Sequence, residues 1–211
     1  MTLETSKNLG GVGALLIFLG PLLGVVPGIG GYTGLLSLIG AILVLVALKG
    51  FADYYKEAGI FNNGLYAIIT AIVGAVAIFA LMFFALVSLF AELLPGFDIT
   101  DIQAWSRLPE VLSQLTNIGP LLNSIGMILL ALVVLFLVLV ITAFFLRRSF
   151  GLMAAKTGVG LFGTTGLLLL IGAILTIIVI GIFLFWIATL LLAIAFFSVR
   201  VQEPQTPQIT S

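Results

Sequence analysis

The residues of this 211-residue chain that could carry chemistry are few and fall in two places. Asp53, Tyr54 and Tyr55, with Lys49, Lys56 and Asn62 around them, form one polar group. Glu92, Asp98, Asp101 and Glu110 form the other. The first offers a carboxylate, two phenols, ammonium groups and an amide, which suits docking or ligand recognition. It holds no nucleophile paired with a base, so bond-making chemistry is not expected of it. The second offers carboxylate oxygens of the kind hard cations prefer. Its spacing matches no metal-binding loop, and a solvated acidic face is its ordinary reading. The chain has neither cysteine nor histidine. Thiolate nucleophiles, disulfides, Cys/His zinc sites and His-ligated haem are therefore excluded. No cofactor, no metal and no enzymatic activity are expected.

The elements that must position these groups are set by long runs without charge. Residues 8–48, 58–91, 111–146 and 157–199 contain no Asp, Glu, Lys or Arg. About 20 apolar residues span a bilayer, so each run crosses at least once. The chain is 62% hydrophobic and only 8% charged, where soluble domains are about a quarter charged. Its uncharged surface faces lipid. The formal net charge is +0 and no basic patch is present, so no nucleic acid partner is expected.

Residues 8–48 and 157–199 are too long for one crossing. The latter is roughly 60 Å as a helix, twice the hydrocarbon core of about 30 Å. Each is expected to fold as a hairpin. The helix breakers Pro27, Gly28, Gly30 and Gly31 mark the first turn. Gly181 marks the second more weakly. The expected class is an all-α polytopic transmembrane bundle occupying residues 1–199. Its six spans are 10–26, 32–48, 65–94, 121–146, 159–178 and 183–199, arranged as hairpin, single, single, hairpin. The N-terminal run is read as a retained span and not as a cleaved signal peptide. Lys7, Lys49, Lys56, Arg147, Arg148, Lys156 and Arg200 then share one face, and Arg107 alone lies on the other. The excess of basic residues on the cytoplasmic side places both termini there, in the cell membrane.

The loop after the second span is expected to form a short interfacial helix. Lys49 and Asp53 stand at i,i+4, Gly59 suits a C-cap, and Asn62 suits the N-cap of the next span with Phe61 packed on Tyr66. Its aromatic residues would sit at headgroup level. The external segment 95–120 reads as short amphipathic helices anchored by Trp105. The tail 200–211, with Pro204 and Pro207, is expected to be disordered.

Inside the membrane, Gly20, Gly24 and Gly28 repeat every four residues, as do Ala67, Ala71 and Ala75. Gly30 and Gly34 open the second span. Such zipper-like faces let helix backbones approach, within the chain or between copies. Pro21 is expected to kink the first span. The intramembrane polar side chains are hydroxyls such as Ser37, Thr142, Thr176 and Thr189, with Asn123 and Ser124 near the outer end of the fourth span. They bond to nearby carbonyls, or line a route for an uncharged solute.

Ala47-Leu48-Lys49-Gly50, Ala52-Asp53-Tyr54-Tyr55 and Ile60-Phe61-Asn62-Asn63 together resemble a family of small multi-span membrane proteins, mostly archaeal, of uncharacterised function. Thr5-Ser6-Lys7 and the run 166–175 are similar to it as well. The resemblance implies the same multi-span topology and supplies no activity, cofactor or catalytic residue. The expected role is structural, scaffolding or accessory. The second reading is a passive channel or transporter for small neutral or lipophilic solutes. The expected partners are membrane lipids and either a second copy or another membrane protein.

Overall fold

The computed structural model describes residues 1–24, 32–93, 102–103, 105–106, 109 and 119–200. Among the described residues there is no strand, and six helices are long and apolar enough to cross a membrane. They are α1 (Leu3–Leu23), α2 (Thr33–Tyr55), α3 (Ala58–Leu93), α4 (Gly119–Thr157), α5 (Gly160–Leu175) and α6 (Ile180–Phe197). The all-α, six-span class follows as expected. The turn at 27–31, Gly28, Asp98, Asp101, Arg107, Glu110 and the tail from 201 lie outside the described residues. So do the side chains of Glu92, Asn123 and Ser124.

The helices divide into two compact units, Met1–Ile69 with Val140–Ser211, and Thr70–Leu139. In the first, α1 packs along α2 and α6, and α5 packs along α6. The α1–α2 seam is built from small residues seven apart. Ser6 faces Gly50, Gly13 faces Gly40, and Gly20 faces Ser37. A Cβ at Gly13 would stand 2.6 Å from the Gly40 carbonyl oxygen, so the two backbones touch. Seven residues return a helix to within about 20° of the same face, whereas four advance it by about 40°. The repeat of four therefore leaves the seam. Gly20 is buried, Gly24 is exposed, and a Cβ at Gly34 would meet open space.

The two turns that close the first unit differ from expectation. The second hairpin reverses at Thr176–Val179, ahead of Gly181. Val179 carries the turn in the left-handed region, at φ 66°. Gly181 lies in the first turn of α6, where the Gly172 carbonyl leaves no room for a Cβ. A turn built on valine carries no glycine signal. The α2–α3 turn is also shorter than predicted. Lys49 and Asp53 belong to the last two turns of α2, with no separate interfacial helix. Lys56 caps α2 in the left-handed region at φ 51°, and α3 begins at Ala58. Gly59 and Asn62 are thus inside α3 instead of capping. Gly59 is small because the Leu152 side chain lies where its Cβ would be.

Both middle helices outrun the predicted spans. They have 36 and 39 residues, roughly 54 and 58 Å. Arg147 and Arg148 lie in α4, which ends with Gly158 in the left-handed region at φ 72°. Core rings collect near this end of the first unit. Phe51, Phe150, Phe162 and Phe196 are fully buried. Phe196 meets Phe51 at 5.9 Å and Phe162 at 5.0 Å, the latter edge-on.

The second unit pairs the remaining parts of α3 and α4. Val138 covers Gly74, and Ala85 and Ala131 are the buried alanines among the unit's described residues. Most of the unit's large apolar side chains are exposed, Phe79 by 74%. Ala67, buried in the first unit, lies seven residues before Gly74 and on the same face of α3. Ala71 and Ala75 step off that face and are exposed.

Candidate functional site

The α2–α3 turn brings three of the five sequence-nominated docking residues into one cleft. Lys49, Asp53 and Asn62 line a notch of about 340 Å³, with Ala52, Lys56 and Phe61. Their meeting follows from the helix period and the two-residue turn. Lys49 and Asp53 are one turn apart on α2, and Asn62 is one turn into α3. The Lys49 ammonium donates to Asp53 Oδ1 at 2.8 Å and lies 5.4 Å from the Phe61 ring centre. Both charged side chains are more than half exposed, so the pair contributes little to stability.

Tyr54 and Tyr55 are not in that cleft. Tyr54 stands edge-on to Tyr55 at 5.0 Å, and Tyr55 stacks on Phe51 at 6.3 Å. The two phenols therefore join the buried ring cluster through Phe51. Phe61 serves Lys49, while Tyr66 packs against Phe145 at 5.6 Å, so the expected staple is not formed. Glu57, in the turn, pairs with Lys156 of α4 at 3.2 Å. The Asn63 amide donates to the Gly59 carbonyl at 2.7 Å. The notch offers ammonium groups, a carboxylate and an amide for recognition. It brings no nucleophile to a base.

Several interactions that hold the first unit together were not nominated by the sequence. Ser149 donates to the Ile60 carbonyl and is fully buried. Lys7 donates to the Val199 carbonyl at 2.8 Å, joining the start of α1 to the end of α6. The Trp186 indole donates to the Phe18 carbonyl at 3.0 Å, and its ring stacks on Phe18 at 4.8 Å. Pro21 lies three residues further along α1, and the carbonyl its missing N–H leaves without a helical donor is that of Ile17. No local spacing in the sequence signals any of these three bonds, because each joins residues far apart in the chain.

The intramembrane hydroxyls mostly serve their own helices. Thr176 donates to the Gly172 carbonyl and Thr189 to the Trp186 carbonyl. Ser37 fills the space at Gly20. Thr142 and Thr165 bury their hydroxyl oxygens without a partner among the described residues.

Six apolar helices, tight turns and charges gathered near helix ends define a multi-pass helical membrane protein. The chain belongs to the family described as "Protein of unknown function (DUF996)", whose profile matches residues 36–190. It is 26% identical over 198 residues to the uncharacterised protein MJ1644 of Methanocaldococcus jannaschii. That match covers 94% of this chain and 93% of the relative. No solved structure matches.

Proposed function

We propose that this protein is a non-catalytic structural or accessory component of the cell membrane that assembles with itself or with another membrane protein. The exposure of α3 and α4 carries this reading. Only 11% of their most apolar windows is buried, against 33–39% in the other four helices. That apolar surface is open to lipid or to a partner helix. Ala71 and Ala75 lie exposed on α3, where small residues let a second helix approach closely. The docking cleft at Lys49, Asp53 and Asn62 supplies polar recognition at the end of the first unit.

Both termini are cytoplasmic in this reading. The Lys7–Val199 bond supports one shared side, and the basic residues support the cytoplasmic one. Single cysteines in this cysteine-free chain test the arrangement. Labels at Thr5 and Ser198 should react only from the cytoplasmic side.

Cross-linking in native membranes and native mass spectrometry in mild detergent test the assembly. A dimer, a higher species or one reproducible partner is expected. Replacing Ala71 and Ala75 by leucine should weaken self-association. A strictly monomeric chain that co-purifies with no protein would overturn the proposal. Passive transport of neutral solutes is the second reading, and it rests on the two buried hydroxyls of Thr142 and Thr165. Solute flux above that of empty liposomes, lost in Thr165→Val, would favour it.

A further inference from the structure

The meeting of α1 and α6 carries two cavities, and their chemistry differs in the way the two ends of a lipid differ. Where α1 begins and α6 ends, Glu4, Lys7, Asn8, Ser198 and Arg200 line a polar cavity of about 590 Å³ with Phe197 and Val199. Further along the same pair, Ile17, Pro21, Ile182, Phe183, Trp186 and Thr189 line an apolar groove of about 420 Å³. Ten to fifteen residues of α1 separate Lys7 from Ile17 and Leu22, about 15–22 Å of helix rise, which brackets the roughly 20 Å from headgroup to bilayer midplane. A lipid whose headgroup sits at Lys7 therefore ends its chain at the depth of the groove.

Charge decides the headgroup. Lys7 and Arg200 contribute two positive charges and Glu4 one negative, leaving one net positive charge in the polar cavity. One phosphodiester neutralises that charge. Lys7 is held in place by its bond to the Val199 carbonyl and keeps further N–H donors for a phosphate oxygen. Arg200 directly follows Val199 and is exposed. Basic pockets between transmembrane helices bind anionic headgroups in this manner. The apolar groove complements the chain. Its single indole N–H is already bonded to Phe18, and its threonine hydroxyl to Trp186. Neither polar group then opposes a hydrocarbon occupant.

We propose that the α1–α6 pair binds one anionic phospholipid, with its phosphodiester between Lys7 and Arg200 and the end of an acyl chain in the groove beside Trp186. This goes beyond the structural role proposed above and depends only on membrane embedding. The binding holds equally for a monomer or an assembly.

Trp186 provides the readout. A Trp105→Phe variant leaves Trp186 as the single tryptophan. It is reconstituted in zwitterionic phosphatidylcholine vesicles with a small fraction of phosphatidylglycerol brominated near the chain end. Bromine quenches a neighbouring indole. Quenching by the anionic lipid should exceed that by brominated phosphatidylcholine at equal mole fraction. Lys7→Gln and Arg200→Gln should each reduce the excess about fivefold, as about 1 kcal/mol per basic side chain implies. Glu4→Gln should increase it. Inorganic phosphate at millimolar concentration should leave it unchanged, since it lacks the chain. Arg200→Gln lies beyond the last helix and tests the idea even where Lys7→Gln impairs folding. Equal quenching by the two lipids, or an excess indifferent to Arg200→Gln, overturns the proposal. Loss of the excess on adding inorganic phosphate would assign the polar cavity to free phosphate instead, and overturns it too.

Discussion

Ser149 of α4 donates its hydroxyl proton to the Ile60 carbonyl of α3 at 2.6 Å, with Ser149 fully buried. It links two helices from positions 89 residues apart in the chain. Interhelical hydrogen bonds in membranes contribute modestly, about 0.6 kcal/mol on average. Ser149→Ala should lower thermal stability in detergent by about 1 kcal/mol, since the carbonyl belongs to a helix and keeps its own ladder. Ser149→Val, which also adds bulk to a filled site, should cost more. A melting temperature unchanged in both variants would show that the bond carries no weight.

The α1–α2 seam predicts opposite outcomes for two glycines of α2. A Cβ at Gly40 falls on the Gly13 carbonyl, which is backbone and cannot rotate away. Gly40→Ala should force the helices apart and destabilise by about 1–3 kcal/mol, as overpacking does. Gly34→Ala meets open space and should be neutral or stabilising, through the higher helix propensity of alanine. Parallel detergent melts of the two variants check this. Equal effects would mean the seam is not where the backbones touch.

Val179 holds a left-handed conformation that valine disfavours by roughly 1–2 kcal/mol. Glycine adopts it without a Cβ clash. Val179→Gly should therefore raise stability, by less than the full strain because the unfolded chain gains freedom. Val179→Ala, which keeps the Cβ, should raise it little. A destabilised Val179→Gly would indicate a different turn.

The indole of Trp186 bonds the Phe18 carbonyl, three residues before Pro21. Trp186→Phe removes the donor but keeps an aromatic ring against Phe18. It should cost about 1 kcal/mol. In a Pro21→Ala background, α1 recovers the backbone N–H that proline lacks, and that N–H bonds the Ile17 carbonyl four residues back. The Phe18 carbonyl is not its acceptor, so the cost of Trp186→Phe should stay the same. A double-mutant cycle measures the coupling, and strongly non-additive effects would overturn this separation.

Class and crossing number were legible in the sequence, because solvent alone decides them. Runs of 34 to 43 residues without a charge have no stable place in water, and the two longest reach about twice the hydrocarbon thickness as helices. The Lys49–Asp53 pair was legible too, because i,i+4 spacing on a helix is local geometry. The packing seams were not. Glycines at four-residue spacing looked like the contact face, yet contact follows the face that seven residues keep, at Ser6, Gly13 and Gly20. Which small residues touch depends on where the facing helix places Gly50, Gly40 and Ser37, and no local rule contains that. The turns at Lys56 and Val179 escaped for a related reason: neither residue favours a left-handed backbone, so neither announces a turn. Packing of the helices on either side holds them there. Lys7 reaching Val199, and the two cavities between α1 and α6, likewise exist only once tertiary structure brings the first helix against the last.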